Sequence, residues 1–196
     1  TTIHVENPGE TPWVGLTLAW FDTLGIQYSH TDYADYIITG GSVVSAFEYT
    51  VPGDFSSIAY PIVAALITQS HIKIKNIDML DAQGDKQLIQ TLQNMGAKIT
   101  VEKTALVIHP SGQLIGCDID VNDFIDALPI LAVVGCYAKG TTRLLNAGIE
   151  KKKESDRLAA ITLELNQMGA NIIEQPDALI IQEAALHETS LNAHHD

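Results

Sequence analysis

The feature that most constrains this chain is a helix ending that returns three times. Leu24-Gly25, Met95-Gly96-Ala97 and Met168-Gly169-Ala170 recur at steps of 71 and 73 residues, Gly25 to Gly96 and Gly96 to Gly169. Each glycine stands where a helix C-terminus needs a left-handed residue. Each is followed by two short strand-like runs, at about 26–30 and 36–39, 98–101 and 105–109, and 171–174 and 178–181. Helical periodicity precedes them over 12–24, 85–95 and 154–168. The first of these puts Trp13, Leu16, Trp20 and Leu24 on one face, and the last puts Leu158, Ile161, Leu165 and Met168 there. Strands at 72–77 and 141–145 end at Asn76 and Asn146. The unit is strand–helix–strand–helix–strand–strand, with the first copy lacking its front. Such units leave apolar faces that only neighbouring units can cover.

Two further segments, 58–67 and 127–138, are hydrophobic nearly all round, which predicts buried helices. Pro61 and Pro129 lie within them. Helix starts at Ser57 and Asp126 place both prolines in or beside a first turn, where the missing N–H matters little. The expected architecture is α/β: repeated βαβαββ units, buried helices and small mixed sheets on the outside.

Apolar residues make up 46% and charged residues 18% of the chain, a globular balance. The net charge of −13 disfavours nucleic-acid binding, which needs a basic face. Cys117 and Cys136 fit no metal or redox spacing and read as reduced, small apolar side chains of a cytosolic protein. No apolar run is long enough to span a membrane and no signal peptide is recognisable. The sequence begins at Thr1 rather than Met and ends at His194-His195-Asp196, so a piece of a longer protein is expected. Asp78, Asp81 and Asp85 read as ordinary loop acids rather than metal ligands, and Gly40-Gly41 as a turn lacking a phosphate loop's context.

Positive charge is concentrated. No Lys or Arg precedes Lys73, and four of the eleven fall in Lys151-Lys152-Lys153-Glu154-Ser155-Asp156-Arg157. Read as the start of the 154–168 helix, this block puts lysines against the helix dipole, which favours acids in the first turn. Some of the charge is then expected to meet an anion, held locally against a repulsive overall field. A solvated charged face with ion pairs around Asp156 is the bland alternative.

Three stretches carry a family resemblance: Val51-Pro-Gly-Asp-Phe-Ser-Ser57, Phe124-Ile-Asp-Ala-Leu-Pro129 and Lys151-Lys-Lys-Glu-Ser-Asp-Arg157. With the repeat order and the Leu–Met–Gly helix end, the chain resembles the 5-enolpyruvylshikimate-3-phosphate synthase family over essentially all 196 residues. The resemblance implies an inside-out, barrel-like fold of two domains. Residues 1–50 would close the N-terminal domain and 51–53 would cross between the domains. Residues 54–196 would open the C-terminal one, with units at 54–110 and 114–182. It implies transfer of the enolpyruvyl group of phosphoenolpyruvate to the 5-hydroxyl of shikimate-3-phosphate, with release of phosphate. A cytoplasmic enzyme without metal or cofactor, monomeric at full length, is the expected form.

By the same resemblance Asp126 stands at the base position, contacting the shikimate hydroxyls, and Glu154 matches the proton-shuttling glutamate. Lys153 matches the lysine on the shikimate-3-phosphate side. Arg157 matches the arginine for the phosphoenolpyruvate carboxylate, a planar anion that suits a guanidinium fork. Taken alone, Asp126 would be a helix N-cap and Glu154 a favourable first-turn acid. The family's serine before Lys/Arg-Pro-Tyr is Glu10 here, followed by Thr11-Pro12-Trp13, and Lys151 stands where an arginine is frequent. The family's N-terminal lysine, glycine-rich segment and serine pair would precede Thr1. Its His-Arg and a later lysine would follow Asp196, which His194-His195 approach. Competing readings are an enolpyruvyl transferase of the UDP-N-acetylglucosamine type, a non-catalytic binding module on the same repeat fold, and an RNA-end-processing enzyme. The last is disfavoured by charge.

Overall fold

The computed structural model describes residues 1–194. In chain order the elements are β1 (Thr2–His4), α1 (Thr11–Leu24), β2 (Tyr28–Thr31), β3 (Asp35–Ile38), α2 (Phe55–Ile67), β4 (Ile72–Lys75), α3 (Gln87–Asn94), β5 (Lys98–Glu102) and β6 (Ala105–His109). There follow β7 (Asp118–Asp120), α4 (Leu128–Tyr137), β8 (Thr141–Leu145), α5 (Arg157–Gln167), β9 (Asn171–Gln175) and β10 (Ala178–Gln182). Short 3-10 turns at Gly84–Lys86, Ile125–Ala127 and Gly148–Lys152 precede α3, α4 and α5.

Three small sheets result, ordered β1-β3-β2, β4-β6-β5 and β7-β8-β10-β9, and none closes on itself. The first two are antiparallel throughout, whereas the third is mixed because β7 runs parallel to β8. The expected hairpins form, with Glu102 opposite Ala105 and Gln175 opposite Ala178. Gly25, Gly96 and Gly169, the recurring helix ends, all have positive φ, at 68°, 105° and 92°.

Helix α4 lies at the centre as expected, but α2 buries only one face against it and leaves Ser57, Tyr60, Pro61 and Ala64 open to solvent, so the all-round burial expected of 58–67 is not met. Phe55, Ile62, Leu128 and Leu131 are fully buried, and one apolar core runs from them to Leu92 of α3, Leu106 of β6, Leu144 of β8, Leu158 of α5 and Leu179 of β10. The faces of β5 and β9 that turn away from the core are open to solvent. Before Phe55 the only buried apolar residues are Leu18 and Tyr36, so the first sheet adds little to the core.

Several expected boundaries move. Asp54 rather than Ser57 caps α2, accepting the Ser57 N–H at 2.9 Å, so Pro61 falls inside the helix instead of in its first turn. Pro129 does sit at the start of α4. Asp126 is no N-cap: it lies in the 3-10 turn before α4, and no side chain caps that helix. The charged helix begins at Arg157, not Glu154. Asp156 caps it by accepting the Ala159 N–H at 3.1 Å. Lys151 and Lys152 therefore lie in a separate 3-10 turn and do not oppose the α5 dipole.

The second unit has no front strand among the described residues. Residues 51–53 take that place: the Gly53 N–H donates to the Asn76 carbonyl at 2.7 Å, as the Val121 N–H after β7 donates to Leu145 at 3.0 Å. Asn76 and Asn146 are both left-handed, and their side chains bond back to the Val51 carbonyl and the Asp120 carboxylate. The following N–H groups, of Ile77 and Ala147, each donate at 3.1 Å to the next hairpin, at Thr104 and Asp177.

Gly84 fixes how the first block docks. A Cβ there would come within 2.7 Å of the Pro12 side chain and would collide with the Asp123 carbonyl. Gly84→Ala is expected to lower stability by ~1–3 kcal/mol through overpacking. Leu131→Ala, in the α4 core, should lose ~2–5 kcal/mol, and Leu163→Ala, on the open face of α5, under about 0.5 kcal/mol. Urea midpoints of the three variants measure the order.

Candidate active site

A cleft of about 800 Å³ opens where the starts of α2, α4 and α5 meet the tail after β10. Asp126, Lys153, Glu154 and Arg157 all line it, together with Ser56, Ser57, Tyr60 and His194. The four residues singled out in the sequence therefore share one concave surface.

Arg157 is the centre of the cluster. Its Nη1 donates to Asp126 Oδ1 at 3.1 Å and to Glu150 Oε2 at 3.4 Å, and its Nη2 to Glu154 Oε2 at 3.1 Å. Charge-assisted bonds are stronger than neutral ones, and here they tie three acids from different segments to one guanidinium. Lys153 Nζ lies 3.1 Å from the Glu10 carboxylate and 4.0 Å from Asp126 Oδ1. Lys151 turns to Glu174 on β9, at 2.6 Å. Of the four cations in the charged block, Lys153 and Arg157 are the ones that line the cleft. The block is thus a structural ion-pair network and a cleft wall at once.

Two buried acids lie behind that wall. Glu150 has no exposed surface, and its Oε1 accepts no hydrogen bond from a described residue. Burial pushes its carboxyl up to about 7, against the opposing pull of Arg157 and Lys153. Asp85, 1% exposed, finds no hydrogen-bond partner for either oxygen among the described residues. Burial, with the negative charges of Asp126 and Asp54, pushes it up to about 6. Asp54 goes the other way: burial raises it, but hydrogen bonds from Ser57 and Ser56 outweigh that and hold it below the ordinary range.

Glu164 on α5 clasps the tail. It accepts the Asn192 N–H at 3.0 Å and lies 2.8 Å from His194 Nε2, and these contacts lower its pKa. His194 thus reaches the cleft rim, while His195 and Asp196 lie outside the described residues.

Sequence reasoning missed Glu150, Asp85, Glu164 and the partner of Lys153. Glu150 sits beside three lysines, a context that signals solvent. Asp85 reads as one of three loop acids. Asp78 and Asp81 are such acids, accepting the N–H groups of Leu80 and Gln83. Asp85 is not. Only the departure at Glu10 left a trace, and nothing in the string says that it meets Lys153.

The proton on Glu150 has a stability signature. Its folded pKa is raised from 4.5 to about 7, so the folded state holds a proton that the unfolded chain gives up at lower pH. The stability tied to that proton is present at low pH and is lost as pH rises through about 7. Glu150→Gln is expected to differ from the parent by under about 1 kcal/mol at pH 5 and to gain ~2 kcal/mol at pH 8. Denaturant titrations at the two pH values measure it.

Comparison with known proteins follows the same lines. The family model described as EPSP synthase (3-phosphoshikimate 1-carboxyvinyltransferase) matches residues 1–196. A 3-phosphoshikimate 1-carboxyvinyltransferase of Ruminiclostridium cellulolyticum is 41% identical over 196 residues, 100% of this chain and 46% of that protein. One from Chlamydia caviae is 46% identical over 194 residues, 98% of this chain and 43% of that protein. The EPSP synthase structure from Acinetobacter baumannii superimposes with a TM-score of 0.73 at 27% identity, covering 85% of this chain and 40% of that one. The enolpyruvyl transferase NikO from Streptomyces tendae reaches 0.73 at 21% identity over 96% of this chain and 44% of its own, a likeness of fold. The chain spans slightly less than half the length of the curated relatives it matches. Matched from its first residue to its last, it belongs to the EPSP synthase family.

Proposed function

We propose that this chain carries one wall of a site that transfers the carboxyvinyl group of phosphoenolpyruvate to the 5-hydroxyl of shikimate-3-phosphate. In the same proposal residues 1–50 close an N-terminal domain, 51–53 cross over, and 54–196 open a C-terminal domain. Flanking sequence supplies the opposite wall. The observation that carries the proposal is the convergence of Asp126, Lys153, Glu154 and Arg157 on one cleft. Further support comes from the family match and from the relatives' names, which do not favour the UDP-N-acetylglucosamine alternative.

The chemistry needs a base at the attacking hydroxyl, an acid at the methylene carbon of phosphoenolpyruvate, and cations for a carboxylate and two phosphates. Asp126 takes the base role and Glu154 the acid role. Both bond to Arg157. A substrate carboxylate that occupies the guanidinium fork displaces both from it, so binding and release of the proton-transfer groups are one event. Lys153 then faces the shikimate-3-phosphate. Proton transfer and phosphate loss call for neither redox group nor Lewis acid where lysine and arginine supply the positive charge. The proposed working form is a cytoplasmic monomer.

The 196-residue chain alone is expected to show no measurable carboxyvinyl transfer, since each absent charge-assisted contact removes ~1.5–3 kcal/mol. In full-length protein, Glu154→Gln should keep shikimate-3-phosphate binding and lose at least about a hundredfold in turnover. Lys153→Met should weaken shikimate-3-phosphate binding instead. Phosphate release from phosphoenolpyruvate, with and without the acceptor, measures all three. Full turnover by the bare chain, or an unimpaired Glu154→Gln enzyme, would overturn the assignment.

A further inference from the structure

Glu10 occupies an unusual place. It is left-handed, at φ 48° and ψ 40°, a conformation that strains a residue other than glycine, asparagine or aspartate. It stands at the N-cap of α1 and its carbonyl accepts the Trp13 N–H at 3.0 Å, yet its side chain makes no capping bond. The carboxylate turns instead to Lys153, with both oxygens at 3.1 Å from Nζ. This pair is only 26% and 21% exposed, so solvent screens it less than a surface ion pair. Pro12, two residues on at the start of α1, packs closely against Gly84, and the Glu10 carboxylate reaches a lysine that lines the cleft.

The charges around Lys153 sharpen the point. Glu10 comes from the start of α1 and Asp126 from the turn before α4. Glu154 and Arg157 stand beside it in the charged block, and Asp85 and Glu150 lie buried behind. An anion that reaches Lys153 finds a carboxylate already there. A dianionic phosphate meets repulsion from Glu10 unless that carboxylate is displaced. A hydroxyl meets none, because it can donate to Glu10 while it accepts from Lys153.

We propose that Glu10 is a specificity-determining residue of the cleft: it is the resident counter-ion of Lys153 and weakens this subsite's preference for a phosphorylated over an unphosphorylated acceptor. The proposal rests on the placement of shikimate-3-phosphate against Lys153 given above. Removal of the charge should therefore tighten the phosphorylated ligand selectively, whereas a purely structural role for Glu10 would move both ligands alike.

Calorimetric titration of full-length protein with shikimate-3-phosphate, with shikimate and with inorganic phosphate tests it. Glu10→Gln removes the charge at near-constant shape. Glu10→Asn does so with a residue that tolerates the left-handed backbone, and covers the case in which Gln misfolds. In both variants the ratio of shikimate-3-phosphate to shikimate affinity is expected to rise about tenfold, ~1.4 kcal/mol. Inorganic phosphate should bind more tightly as well. An unchanged or lower ratio in folded, active variants overturns the role of Glu10 and leaves the transferase assignment standing. A parent protein without carboxyvinyl transfer, whose variants nevertheless gain phosphate affinity, overturns that assignment and leaves the role of Glu10 standing.

Discussion

One guanidinium holds the cleft together. Arg157 reaches Asp126 from the turn before α4, Glu150 from the turn before α5 and Glu154 from its own block. The three acids differ in burial: Glu154 is 67% exposed, Asp126 30% and Glu150 not at all, so the desolvation cost of charge falls chiefly on Glu150. Burial pushes the carboxyl of Glu150 up to about 7 and so favours its neutral form. Asp126 and Glu154, the other two acids bonded to Arg157, both line the cleft. The side chains proposed to move protons are held in register by the group proposed to recognise the substrate.

The core makes that register possible. Helix α4 is apolar and largely buried and sinks into the middle, whereas α2 packs one face on it and leaves Ser57, Tyr60, Pro61 and Ala64 exposed. Their polar starts meet at the cleft: Asp54 with Ser56 and Ser57 at one, Asp126 at the other. Helix α5 joins them through Leu158 and Leu165, which face the core, while Arg157 at its first position meets the cleft. The cleft thus lies where the starts of the three helices come together.

The sequence carried the repeat, the two apolar helices, the hairpins and four cleft residues, because each rests on a local signal. Glycine after an amphipathic helix, an apolar run of helical length and a dense charge block can all be read within a dozen residues. What it did not carry depends on distant partners. Glu150 is buried by packing and not by its neighbours in sequence, and Asp85 resembles Asp78 and Asp81 until the fold excludes water from it. The start of α5 was misplaced because Glu154 and Asp156 are both good first-turn acids, and only the Asp156 contact to Ala159 separates them. The Glu10–Lys153 pair spans 143 residues and has no sequence signature at all.

Asn76 and Asn146 have a consequence for how such a protein can change over time. Each turns left-handed after its strand and lets the next N–H close onto the following hairpin, yet the residues involved are unlike: Ile77 and Thr104 in one unit, Ala147 and Asp177 in the other. The recurrence is kept in main-chain hydrogen bonds, to which side-chain identity is nearly irrelevant. The two units are therefore free to diverge almost everywhere, one towards the charged wall of a cleft and the other towards its support. The asparagines are the exception, because a β-branched residue would not take up that backbone without strain.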